Sequence, residues 1–195
     1  MELSKLFLVA NKFLVDVEII NIAKISLGNI NSTYVVEYLN KEQISKKIIL
    51  QSINSLFDSV ESLNINHKSA TDHMELWLSN QSISNDQRRW VVPSLLKCEF
   101  NGLFDLSFEG KSWRAIKYIE SSLSISSVKD VKYAYEVGYG LAKFHHIFSD
   151  YDSTRLKTTL YNFHDTNHYL EQYYSSYERF NFSDLNISLL ERINK

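Results

Sequence analysis

Two short stretches carry side chains of the kind that act on a phosphoryl group or a hydroxyl. The first is "GNINST", residues 28–33, where a glycine precedes amides and hydroxyls between two apolar runs. A turn of this make-up can present successive backbone N–H groups and short polar side chains to an anion. The same composition also makes a plain hairpin turn. The second stretch is "FHDT", residues 163–166, in which Asp165 follows a histidine. A carboxylate so placed can take the proton of a substrate hydroxyl. Such a loop needs a following asparagine to hold magnesium. In "NHYLEQY", which comes next, the asparagine stands two residues after Asp165 and not the five of a kinase-type loop, so Asp165 is not assigned as a base. His145 and His146 are adjacent in a helical pattern and point in different directions, which predicts one buried and one exposed imidazole rather than a metal pair.

These residues need a scaffold, and the chain is large enough to build one. It has 195 residues, 44% of them apolar and 13% aromatic, which is a globular composition. The formal net charge is -2, so no basic field draws in nucleic acid or an anionic membrane, and a small molecule or a protein is the expected partner. The single cysteine, Cys98, excludes an internal disulfide and a cysteine-rich metal site. No signal-peptide pattern or apolar run of about 18 residues is visible, and a soluble cytoplasmic protein is expected.

Apolar residues at Leu3, Leu6, Phe7, Ala10 and Leu14 predict a short amphipathic helix that caps the fold. "VEIINIAKIS", "TYVVEYL" and "KKIILQSI" predict a three-stranded antiparallel meander, joined through the Gly28 turn and the polar "NKEQIS" turn. Residues 58–80 contain no glycine or proline and repeat apolar positions at three and four residues, which predicts a long helix capped by Asp58 or Ser59. "RRWVVPSLLKCEF", "GLFDLSFEG" and "KSWRAIKYIE" read as two or three more strands, with Pro93 marking an edge or a strand start. After the Ser-rich "ESSLSISS" the period becomes helical. Residues 128–151 are expected to bury a face of Val131, Ala134, Tyr135, Gly138, Leu141, Ala142, His145 and Phe148, with the two glycines allowing close helix packing. "TNHYLEQYYSSYERF" and "SDLNISLLERI" give two further helices. The outline is α+β: an antiparallel sheet of about five strands with one long helix, then a helical region.

With these elements in order, the chain resembles the aminoglycoside phosphotransferase and choline kinase superfamily, in its N-acetylhexosamine 1-kinase-like branch. The resemblance is carried by "GNINSTYVVEY", "IILQSINSLFDSVESLNINHKSATDHM", "WRAIKYIESS" and "YEVGYGLAKFHHIFSDYDSTRLKTTLYNFHDTNHYLEQY", and covers residues 25–174. It implies a protein-kinase-like N-lobe over residues 1–120, a hinge at 121–127, and the first part of a helical C-lobe over 128–195. It also implies ATP with magnesium, and a sugar or amino-sugar hydroxyl as acceptor.

By this resemblance Gly28, Asn29, Asn31, Ser32 and Thr33 lie over the nucleotide phosphates. Gln51 stands at the end of the third strand, where kinases carry a phosphate-holding lysine. Its amide brings no charge, so phosphate grip should be weaker there, with Lys46 or Lys47 compensating only if the strand register allows. The backbone of Tyr118, Ile119 and Glu120 would meet adenine, while Trp113 and Arg114 read as packing and a surface pair. The long helix would supply an acid to the strand lysine, but Glu61 is poorly placed and Ile65 falls near that position. Asn66 and His73 match family positions, in core, capping or functional roles. The family's catalytic loop and metal-binding aspartate are not found, so no catalytic or metal residue is assigned. The chain is expected to be truncated and inactive alone, with an apolar face of Leu185, Leu189, Leu190 and Ile193 needing cover from a partner or further lobe. The alternative is a non-catalytic kinase-like module that binds nucleotide or docks a partner.

Overall fold

A computed structural model describes residues 3–25, 28, 30–80, 88–125 and 127–180. Asn29 and the segment for which a final helix is expected, with Leu185, Leu189, Leu190 and Ile193, therefore lie outside the described residues. The chain divides into two compact units, Met1–Thr159 and Leu160–Lys195.

The first unit is built on one antiparallel sheet. Strands β1 (Glu18–Ile25), β2 (Ser32–Leu39) and β3 (Ser45–Ile53) form the expected meander. Strands β4 (Leu95–Leu96), β5 (Leu106–Phe108) and β6 (Lys111–Lys117) follow, giving the order β1-β2-β3-β6-β4 with β5 also paired to β6. The described residues thus give six strands, and the two-residue β4 lies at the edge, separated from Pro93 by Ser94. A proline has no N–H to give a ladder, so an edge is where it costs least. The β5–β6 hairpin turns through Glu109 and Gly110, both with positive φ (48° and 71°), the two-residue turn that matches strand twist. Gly28 is different: its φ lies outside the left-handed region, and a Cβ there would sit 3.4 Å from the Asn31 carbonyl oxygen.

Helix α1 (Leu3–Phe13) covers one face of the sheet. Its Leu6, Val9, Ala10 and Phe13 pack with Ile22, Tyr34, Val36, Ile48, Leu50, Trp113 and Ala115, which alternate along their strands onto that face. Cys98 is sealed in the same core and donates to the Lys12 carbonyl. Helix α2 (Val60–Ser79) begins at Ser59, whose hydroxyl accepts from the Ser62 N–H at 3.1 Å. Its side chains reach the opposite face of the sheet, Asn64 toward β6 and His67 toward the Pro93 carbonyl at 2.6 Å.

Helix α3 (Val131–Ile147) forms as expected but turns a different face inward. Val131, Tyr135 and Leu141 of the expected buried face are exposed, and nothing described lies within 4 Å of a Cβ built on Gly138 or Gly140. Instead Lys143 lies over the rings of Trp77 and Trp90, and Glu136 pairs with Arg88, which stacks on Tyr139. Lysine and glutamate read as solvent-facing by hydrophobicity alone. Their stems and charges pack here because aromatic faces receive the cations. His145 and His146 are both exposed, His146 with its ring edge against Trp77, so the expected buried histidine is absent. In the second unit, α4 (Thr166–Phe180) starts after Asp165, whose carboxylate accepts from the His168 N–H at 3.2 Å.

Candidate functional site

The candidate site lies on the sheet face opposite α1 and is written in two register rows. Thr33 pairs with Gln51 and Gln51 with Arg114, so the two-residue strand period turns all three side chains to one face. Two residues along, Val35 pairs with Ile49 and Ile49 with Ile116, giving a parallel apolar row in which each side chain stays half-buried.

The polar row is linked end to end. Gln51 Nε2 donates to Thr33 Oγ1 at 3.1 Å, and Gln51 Oε1 accepts from Arg114 Nε at 2.9 Å. Arg114 Nη1 donates to Asn64 Oδ1 at 3.4 Å, and Asn64 Nδ2 continues the chain to Asp105 Oδ1, also at 3.4 Å. Arg114 is only 8% exposed and forms no ion pair among the described residues. Burial lowers its pKa to about 10, so it stays charged at neutral pH with only neutral oxygens bound to it. The same charge, added to desolvation, lowers the pKa of His67.

The polar row corrects the sequence reading. Trp113 is core packing as expected, 1% exposed, but Arg114 is a buried cation rather than half of a surface pair. A signal was available: Trp113 and Ala115 alternate onto the α1 face, which forces the residue between them onto the face of Gln51. On α2 it is Asn64 that meets the strands, while Glu61 and Ile65 are exposed. Lys47 shares the face of Gln51 but lies four residues away, roughly 13 Å at strand rise. Lys46 is on the other face, so neither stands in for a charge at Gln51.

The turn before β2 is pinned rather than open. Asn31 Oδ1 accepts from the Asn54 N–H at 2.8 Å, and Asn54 Nδ2 donates to the Ile30 carbonyl at 3.0 Å. Ser32 alternates away from Thr33 and lines a cleft of about 560 Å³ with Ile30, Ser52, Phe57 and Lys111. Gly28 is exposed. Thr33 and Gln51 are therefore brought together, Asn31 becomes a clamp, and Ser32 opens elsewhere. Tyr118, Ile119 and Glu120 follow β6 directly. The Ile119 carbonyl accepts from Ser122 Oγ at 2.7 Å, and the Glu120 carbonyl accepts from Arg89.

Asn66 and His73 have anchoring partners. Asn66 exchanges hydrogen bonds with the Lys157 backbone, and His73 Nε2 lies 2.7 Å from the Ile147 carbonyl oxygen. Among the described residues no group of three or more His, Cys, Asp or Glu side chains is placed to hold a metal, and no helix is long and apolar enough to cross a membrane. No protein-family model matches the chain.

Proposed function

We propose that this chain is a nucleotide-binding module of the aminoglycoside phosphotransferase and choline kinase type, with a protein-kinase-like N-lobe. In this reading it presents ATP for transfer to a hydroxyl of a sugar or amino sugar. The observation that carries the reading is the pair of rows on one sheet face, apolar Val35–Ile49–Ile116 beside polar Thr33–Gln51–Arg114. A flat purine suits the first row and phosphates suit the second, with Ile30 and Asn31 leading into β2 at the Thr33 end of the polar row. The helix that follows the third strand and sends Asn64 to Arg114 of the polar row gives further support, because kinases also bring a helix side chain to the phosphate-holding cation of the sheet, although there it stands on the third strand and here on β6. Phosphoryl transfer asks a protein for positioning and charge neutralisation, and a buried cation next to a base-sized apolar strip meets both demands. Magnesium does not fit a described carboxylate cluster, so no role in holding it is given to these residues.

Thermal unfolding of the 195-residue chain with and without ATP and magnesium tests the reading, since a ligand that binds only the folded state raises the midpoint. A rise is expected. A cooperatively folded protein whose midpoint does not move would remove the proposal.

A second reading, a non-catalytic binding module, is favoured by Gln51 and Asp165. The first is a neutral amide committed to Thr33 and Arg114, and the second caps α4. A protein that binds ATP but transfers no phosphate to water or a sugar would select it.

A further inference from the structure

Arg114 is buried, and among the described residues no carboxylate lies within ion-pairing distance of it. A guanidinium that served only to fasten α2 to the sheet would be better matched by an acid, since a desolvated charge without a counter-charge is costly. Here the chain places two side-chain amides, Gln51 and Asn64, whose oxygens hold Nε and Nη1 without neutralising them. The remaining terminal nitrogen, Nη2, makes no hydrogen bond among the described residues. Arg114 keeps 8% of its surface exposed. The group is oriented by two neutral acceptors and keeps its charge and one donor edge for something else.

We propose that Arg114, on β6, supplies the positive charge that grips the phosphates of a nucleoside di- or triphosphate, so that Gln51 on β3 acts as its positioning residue. The proposal rests on the nucleotide reading above and adds the group that recognises the anion. The amide of Gln51 spans the row, fixing the guanidinium plane through Oε1 while Nε2 is spent on Thr33. Asn64 fixes the same plane from α2, which makes the grip depend on the seating of that helix. The buried position, which already lowers the Arg114 pKa, is one an anionic ligand would relieve.

The test is calorimetric titration of the full chain, and of R114Q, R114K and Q51E, with adenosine, ADP and inorganic tripolyphosphate. Wild type should bind ADP more tightly than adenosine. R114Q should lose roughly ten- to hundredfold in ADP affinity, the worth of a charged hydrogen bond, with a smaller change for adenosine. R114K should recover part of the loss. Q51E places a carboxylate beside the guanidinium and keeps the side-chain volume, so it covers the case in which R114Q does not fold. It should weaken ADP and tripolyphosphate together. ADP affinity unchanged in a folded R114Q or in Q51E would overturn the proposal while leaving the nucleotide reading intact. Arg114-dependent tripolyphosphate binding with no response to adenosine or ADP would retain the anion site and remove the nucleotide. No binding of any of the three to wild type would remove both.

Discussion

Asn66 of α2 and Lys157 pair through two hydrogen bonds of 2.7 Å each, the amide Nδ2 donating to the Lys157 carbonyl and Oδ1 accepting from its N–H. One side chain thus takes the place of a strand partner for backbone 91 residues later in the chain. With Ser69, whose hydroxyl bonds that of Tyr151, Asn66 fastens the segment that follows α3 to α2.

Replacing Asn66 by Ala removes both bonds at once. The expected loss is about 1–2 kcal/mol, measured as a shift of the urea midpoint at constant slope. Asn66→Asp keeps the acceptor and loses the donor, so it should fall between the two. An Ala variant indistinguishable from wild type would show that solvent replaces the pair at no cost.

His67 sets a pH dependence. Desolvation and Arg114 lower its pKa below the ordinary 6.5, so below that value the unfolded chain binds the proton more readily than the folded one. The His67 contribution to stability is complete above about 6.5 and is lost as the pH falls from there toward the lowered folded value. His67→Gln should flatten the stability profile in that interval. In Arg114→Gln the histidine resonance should titrate at a higher pH, because one of the causes of the shift is gone. A His67 titration unmoved by loss of Arg114 would contradict the electrostatic link between them.

The N-terminal end of α2 owes its cap to one side chain. Ser59→Ala leaves the Ser62 N–H without its partner and should cost about 1 kcal/mol. Asp58→Ala should cost much less, because Ser59, not Asp58, makes the cap. Equal losses in the two variants would reverse that assignment.

Core and rim leucines should separate cleanly. Leu50 is fully buried between α1 and the sheet, and Leu50→Ala should cost about 2–5 kcal/mol. Leu56 is 64% exposed, and the same substitution there should stay within about 0.5 kcal/mol. Chemical denaturation of both variants checks the contrast, and a large loss at Leu56 would mean that its surroundings are covered.

Much of the scaffold was determined by the sequence, because its information is local. The β-branched runs of β1, β2 and β3, the unbroken 58–80 segment and the Ser59 cap each follow from periodicity and a short-range bond. The alternation of Trp113, Arg114 and Ala115 even specified that the arginine must leave the core face. The sequence did not specify the α3 face, since Lys143 and Glu136 enter the packing only through Trp77, Trp90 and Arg88 from remote segments. Nor could it show that Arg114 is buried without a carboxylate partner among the described residues, or that Asn64 rather than Glu61 arrives beside it. Those facts depend on the register of β3 against β6 and on how α2 lies across the sheet. Pattern along a chain states which face a residue occupies, and only the tertiary structure states what meets it there.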